Sequence, residues 1–461
     1  MKNRDLTTGS ITKSLLLFAL PMMAGNLLQQ TYNVADTLIV GRFIGDNALA
    51  AVGSAYTLMT FITSILLGLS MGSGVDFSIA YGKGDGTRLR QGVFVSFTMI
   101  GLVAAILCAA AFLWIDPILA LLQTPAEVYA LMREYLWVIF WGIPAVFLYN
   151  YFACLLRAVG NSVAPLVFLG VSAVANIGLD LLFVLVFRWG VAGAALATIL
   201  SQWVSGVGLA IYALARFPEL RINRASARFP KGVVKSILQL SSLTCVQQSV
   251  MNFGILMVQG LVNSFGPAVM AAFAAAVKID SFAYMPAQDF GNAFSTFIAQ
   301  NYGAGRMERI RAGMRSAALV VLLFCLAITA AVCIFAEPLM TIFVLPEETE
   351  IIGIGVEYLR IEGAFYCLIG VLFLLYGFYR AVRMPGMSVV LTVISLGIVK
   401  GDHLYKDGVD ITPADIAAHV DGGGAITTTN AVNVADYEAL FREMAGKYDE
   451  VIHLNIGPDF S

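Results

Sequence analysis

Residues 81–92 read YGKGDGTRLRQG, and residues 302–313 read YGAGRMERIRAG. The two stretches agree at six of twelve positions, and each lies between long apolar runs. Two other pairs repeat at nearly the same spacing. Lys13-Ser14 returns as Lys235-Ser236, and the triplet RAV at 157–159 returns at 380–382, so the offset is 221 to 223 throughout. A fixed offset of this size marks a duplicated unit. Six apolar runs in the first unit is an even number, so both halves enter a membrane from the same side. An axis along the membrane normal then relates them, which is a carrier architecture. Rocking one bundle against the other would open a central hollow to each side in turn.

The composition agrees. Of 461 residues, 59% are apolar and only 13% charged, with a mean hydropathy of +0.81. A soluble domain carries about a quarter charged residues. The excess excludes a disordered chain, a nucleic-acid binder and an ordinary cytosolic enzyme. A bilayer span needs about 20 apolar residues. Such stretches fall at 14–40, 49–80, 92–115, 133–156, 164–187, 191–215, 236–263, 268–300, 314–336 and 354–379. An eleventh starts at Met387 and reads MSVVLTVISLGIV before Lys400, short for a span. The start carries no small-residue cleavage site of a signal peptide. The six cysteines lie in apolar runs without metal-ligand spacing and read as small apolar residues.

Loop charge orients the chain. With the amino terminus in the cytoplasm, the inward loops collect Lys2, Arg4, Lys13, the basic residues of 83–90, Arg157, those of 216–235 and 306–315, Arg380 and Arg383. The outward loops keep Arg42, Arg133 and Arg188, and 337–350 is acidic. The positive-inside rule therefore places a multi-pass protein in the cell membrane with a cytoplasmic amino terminus. The expected domains are an amino-terminal lobe at 1–215, a basic linker at 216–235, a second lobe at 236–397 and a polar, acidic tail at 398–461. The repeat offset places the end of the second lobe near residue 437. The apolar pattern stops near 397, about forty residues short of what the duplication predicts.

LPMMAGNLLQQTYNVADTLIVGRFIG at Leu20–Gly45, the paired YGxG…RxRxG loops, RAVGN at Arg157–Asn161 and NIGLDLLF at Asn176–Phe183 together resemble the MATE (multidrug and toxic compound extrusion) family over residues 1–397. The resemblance implies an all-α polytopic fold of two six-helix lobes. It also implies antiport: efflux of amphipathic, often cationic small molecules driven by H⁺ or Na⁺, with no catalytic role and no other cofactor or metal.

Asp36 falls near the middle of the first span. An ionised carboxylate there costs about 2.5–3.5 kcal/mol, so it should face a wet hollow or a partner. One reading makes it the coupling carboxylate that the resemblance implies in the first helix; the other satisfies it with Tyr32 or Gln29. Asn176 and Asp180 stand one helical turn apart in the fifth span and can address one ion; the resemblance makes this pair a cation site. Asn150 and Thr198 are weaker cavity-lining carry-overs. Asp36 has an apolar counterpart in the second half, Met257 or Val258, and the seventh span holds no acid, so coupling is expected in the amino-terminal lobe alone. The eighth span holds Lys278, Asp280 and Asp289, and the tenth Arg360 and Glu362. Lys278 and Asp280 do not share a helix face; they either line a cavity or form interhelical ion pairs. Pro21 either bends the first helix or is a tolerated membrane-helix proline. Asp76 belongs near the cytoplasmic end.

The tail reads as a small α/β piece. ITPADIAAHV and NVADYEALFREMAG carry helix caps and apolar faces, and DEVIHLNI reads as a strand. GDHLYKDGVDITP at Gly401–Pro413, TTTNAVNVADY at Thr427–Tyr437 and YDEVIHLNIGPDFS at Tyr448–Ser461 resemble the DegV family of fatty-acid-binding proteins. That resemblance implies that Thr429 and Asn430 stand where the family grips an acyl carboxylate, with Asn430 replacing a serine; the site is read as vestigial. Two alternatives to drug efflux follow: a lipid-linked precursor flippase, which would want a strongly cationic cavity, and a fatty-acid-binding module on a membrane anchor.

Overall fold

The computed structural model describes residues 4–122, 124–263, 267–395, 397–400, 403–406 and 428–429. The chain divides into two compact units, Met1–Val389 and Val390–Ser461.

The first unit is helical. Its first half runs α1 (Ile11–Phe43), α2 (Asp46–Lys83), α3 (Gly86–Leu113), α4 (Ile115–Leu121), α5 (Ala126–Ile139), α6 (Ile143–Ala158), α7 (Val163–Asp180) and α8 (Gly190–Arg216). Its second half runs α9 (Lys231–Asn263), α10 (Pro267–Gly303), α11 (Met307–Ile334), α12 (Ala336–Met340), α13 (Thr349–Ala364) and α14 (Tyr366–Ala381), followed by α15 (Pro385–Ser395). Among the described residues, eight helical stretches are long and apolar enough to cross a bilayer, with α5 and α6 forming one of them. The α13–α14 pair, bent by 49°, makes a ninth. All ten of the expected apolar stretches are helical. Large apolar side chains such as Leu102, Val174, Leu323 and Ile334 stay exposed around the outside. Hydrocarbon needs no partner for them, whereas water would.

Each half has its own core. One cluster runs from Ile39 to Leu220 around Tyr151, Phe140 and Phe147. The other gathers Phe290, Phe294, Phe297, Leu359 and Phe378 from the second half, together with Leu6, Leu15, Phe18 and Met22 from the start of the chain. The beginning of α1 thus packs on α10 and α11, while α1 also packs on α7. The halves meet along α2, which packs on both α9 and α10. Small residues permit the approach. A Cβ at Gly68 would meet the backbone of Cys245, and one at Gly72 would meet Leu240 and Ser241. Beside them Ser73 Oγ and Ser241 Oγ share a hydrogen bond at 2.8 Å. Such close backbone approach and polar pairing are what hold helices together in lipid.

The duplicated loops fold alike. Gly84 and Gly305 both take left-handed backbone (φ 75° and 70°), ending α2 and α10. The RAV repeats also end alike: Gly160 (φ 84°) follows the first and Arg383 (φ 65°) the second. Gly160 has no room for a side chain against the Arg4 carbonyl.

The stretch MSVVLTVISLGIV is not one helix. Helix α15 ends at Ser395 after 11 residues, about 16 Å at 1.5 Å per residue, well short of a span of about 30 Å. In the second unit Gly397–Lys400 (β1) pairs antiparallel with His403–Lys406 (β2) and with Thr428–Thr429 (β3), in the order β2-β1-β3. The expected tail helices and the DEVIHLNI strand lie outside the described residues.

Candidate functional site

A cavity of about 270 Å³ lies between the halves. From α1 it takes Pro21, Asn26, Gln29 and Tyr32; from α6, Asn150 and Arg157; from the second half, Gln248, Asp289, Asn292 and Arg380. Pro21 is accommodated within a continuous helix, Ile11–Phe43. Asn150 donates its amide to the Val146 carbonyl at 2.9 Å, a bond within its own helix.

One turn beyond Tyr32 on the same α1 face comes Asp36. Its carboxyl group lies beside that of Asp180. Asp180 is fully buried as the last residue of α7, and the chain continues in a π-helical turn, Leu181–Val186. Such turns recur at functional sites because they shift side chains off the regular helical register. Asn176 completes the cluster, its amide 3.4 Å from Thr198 Oγ1, which itself donates to the Ala194 carbonyl at 3.1 Å. Among the described residues, Asp36 Oδ1, both oxygens of Asp180 and Asn176 Oδ1 have no hydrogen-bond partner. Neither Tyr32 nor Gln29 satisfies that Asp36 oxygen. A buried acceptor left bare costs about 1–3 kcal/mol, and two ionised carboxylates side by side add their repulsion.

The second half holds an acid pair too. Asp280 of α10 adjoins Glu362 of α13, with Tyr366 and Tyr358 beside them. Asp280 is 5% exposed, and its Oδ1 and Glu362 Oε2 are buried without hydrogen-bond partners among the described residues. Lys278 takes no part. It is exposed, with its ammonium 5.8 Å from the centre of the Phe343 ring. Asp289 lies in the cavity wall, where Asn26 donates to its Oδ1 at 2.6 Å. Asp76 binds Arg88 at 2.8 Å and accepts from Ser236 Oγ at 2.7 Å, so it joins α3 to the second half.

Two cavity residues escaped the sequence reading. Arg157 and Arg380 read as loop arginines in the sequence, yet they occupy the last turns of α6 and α14 and face the cavity. The repeated RAV triplet was the signal that pointed to them. In the second unit Thr429 lies in β3 opposite Ile398; Asn430 is outside the described residues.

Comparison with known proteins agrees with this architecture. The MatE family profile matches residues 21–182 and 244–400. A profile described as "Uncharacterised protein, DegV family" matches residues 389–461. The probable multidrug resistance protein YpnP of Bacillus subtilis is 32% identical over 87% of this chain and 89% of its own length. The probable multidrug resistance protein NorM of Thermotoga maritima is 27% identical over 84% of this chain and 83% of its own. Among solved structures, an outward-facing multidrug resistance MATE transporter of the MOP superfamily superposes with a TM-score of 0.80 at 22% identity. It covers 86% of this chain and 89% of that one. Members of the family are transporters and not enzymes, and their substrates are small molecules. Residues 1–400, with their duplicated helical halves around one cavity, thus make this multi-pass membrane protein a member of the MATE family, carrying a DegV-family segment at its carboxyl end.

Proposed function

We propose that the chain exports amphipathic small molecules across the cell membrane by exchange for H⁺ or Na⁺, with Asp36, Asp180 and Asn176 as the coupling site. The observation that carries this reading is the bare, buried contact of two carboxyl groups one turn from the cavity-lining Tyr32. Entry of a proton or cation between Asp36 and Asp180 removes their repulsion. It lets α1 and α7 draw together, and Gln29, Tyr32 and Asp36 lie on one face of α1 to pass that change to the substrate. Departure of the ion reverses it. The names of relatives such as YpnP and the multidrug export protein MepA of Staphylococcus aureus support drug export. The basic loops near 83–90 and 306–315 face the cytoplasm on the positive-inside rule, with the amino terminus on that side.

The test is dye efflux from proteoliposomes holding the full chain, under an imposed pH gradient or an imposed Na⁺ gradient. The gradient that drives flux names the ion. Asp36→Asn and Asp180→Asn should each abolish driven flux while dye binding persists. Unchanged driven flux in both variants would remove the carboxyl pair from the mechanism.

A further inference from the structure

Arg380 is 4% exposed and lines the central cavity. Its guanidinium donates to Oδ1 of the neutral Asn292 side chain at 2.9 Å, and its Nε has no hydrogen-bond partner among the described residues. Arg157, its counterpart in the first half, lines the same cavity, and its Nε is likewise buried and without a partner. Among the described residues no carboxylate lies within 4.0 Å of either guanidinium, and the arginines that do make ion pairs there are Arg88, Arg133 and Arg383. Among the described residues the one acid in the wall is Asp289, which accepts from Asn26 and lies within electrostatic reach of Arg157, leaving Arg380 with no carboxylate beside it. Two guanidiniums against one carboxylate leave the wall with an excess positive charge. A buried guanidinium without a counter-ion is costly, and its planar donors suit the oxygens of a carboxylate, sulfonate or phosphate.

We infer that Arg157 and Arg380 form an anion subsite, and that the transported molecules include amphipathic organic anions whose acidic group docks between the two halves. This rests on the transporter reading and narrows its substrate class. The duplication supplies one arginine from each half, so an anion bridging them is held only while both halves face it. The rest of the wall, with Pro21, Met22, Leu67 and Tyr149, offers apolar surface to the remainder of the molecule.

The test is equilibrium binding to the full chain in detergent with no ion gradient, so it fails or succeeds independently of the coupling experiment. Carboxyfluorescein and rhodamine 6G share a xanthene scaffold and differ in charge. The wild-type chain should bind carboxyfluorescein. Arg157→Gln and Arg380→Gln should each weaken that binding by about tenfold or more, the loss of one charged hydrogen bond. The ratio of the two affinities should swing toward the cation by the same factor. Arg380→Lys should restore part of the anion binding. If Arg380→Gln does not fold, the half-buried Arg157→Gln carries the comparison alone. Absence of carboxyfluorescein binding by the wild type, or equal loss of both dyes in the variants, would overturn the assignment.

Discussion

Gly82 and Gly303 make the same contact from opposite sides. Gly82 at the end of α2 lies against the Gln300 carbonyl of α10, and Gly303 at the end of α10 lies against the Ile79 carbonyl of α2. The four residues are related by the offset of 221 that relates the duplicated loops, so the two halves meet about a local twofold axis, as a self-complementary interface requires. Neither glycine has room for a Cβ. The halves are therefore closed on each other at the end of the bundle that carries these loops.

Gly82→Ala and Gly303→Ala should each wedge this end open. Forcing a methyl group into a packed contact costs about 1–3 kcal/mol. Because the contacts are equivalent, the two variants should behave alike. Hydrogen exchange across 81–92 and 302–313 should rise in both. Exchange equal to wild type would mean that the contact does not hold the halves together.

Asp76→Asn should loosen the same closure by a different route. Asp76 is 1% exposed and holds Arg88 of its own half, with Ser236 of the other half at 2.7 Å. Arg383, also from the other half, stands 3.6 Å away. Loss of the charged hydrogen bonds should cost about 2 kcal/mol, seen as a lower Tm. In a double-mutant cycle with Arg88→Gln the losses should fall short of additive; full additivity would mean the pair is uncoupled.

Asp280→Asn should leave the fold at least as stable as wild type at neutral pH. An amide beside Glu362 offers a donor to its bare Oε2 and removes one of two adjacent acids, a gain of about 1 kcal/mol. A thermal midpoint several degrees below wild type would show that the carboxylate itself is needed there, as it would be for a second ion site.

The amino-terminal hook should open in acid. Residues 4–9 cross between the halves: Arg4 N–H donates to the Gly160 carbonyl at 3.1 Å, and Arg309 donates to the carbonyls of Thr8 and Gly9 at 2.7 Å. Partial burial opposes ionisation of Asp5. Hydrogen bonds from the Thr7 hydroxyl and backbone and from Thr8, with the nearby Arg306 charge, outweigh it and hold the carboxyl below its ordinary value. A lowered folded value means that its contribution is complete above an unfolded pKa of about 3.9 and is lost as pH falls through the folded one. Protection of the amide of Thr7, which donates to Asp5 at 2.8 Å, should fall in that window, and Asp5→Ala, which has no acceptor, should remove it at neutral pH. Protection that ignores both changes would exclude Asp5 as the pin.

The sequence carried the large-scale order because the bilayer allows few solutions. A run such as 314–336 is helical in lipid because its backbone groups must pair within the segment, and the duplicated YGxG loops mark the repeat. It also marked Asp36 and Asp180 as costly acids, since a lone carboxylate in a span is rare enough to stand out. It misjudged residues whose meaning depends on depth. Arg157 and Arg380 adjoin apolar runs and look like loop arginines, but the helices extend two residues farther and bring them to the cavity.

From the chain alone came the spans, the duplication, the change of composition near residue 397 and the acids to watch. Tertiary structure decided which acids meet. Asp36 with Asp180, and Asp280 with Glu362, are pairs from different helices, and no periodicity within one helix encodes the register between two. It also decided that α15 stops at Ser395, and that the next described residues, 397–400, pair as a strand with 403–406. Hydropathy reads the solvent around each segment, whereas a strand is fixed by a partner elsewhere in the chain.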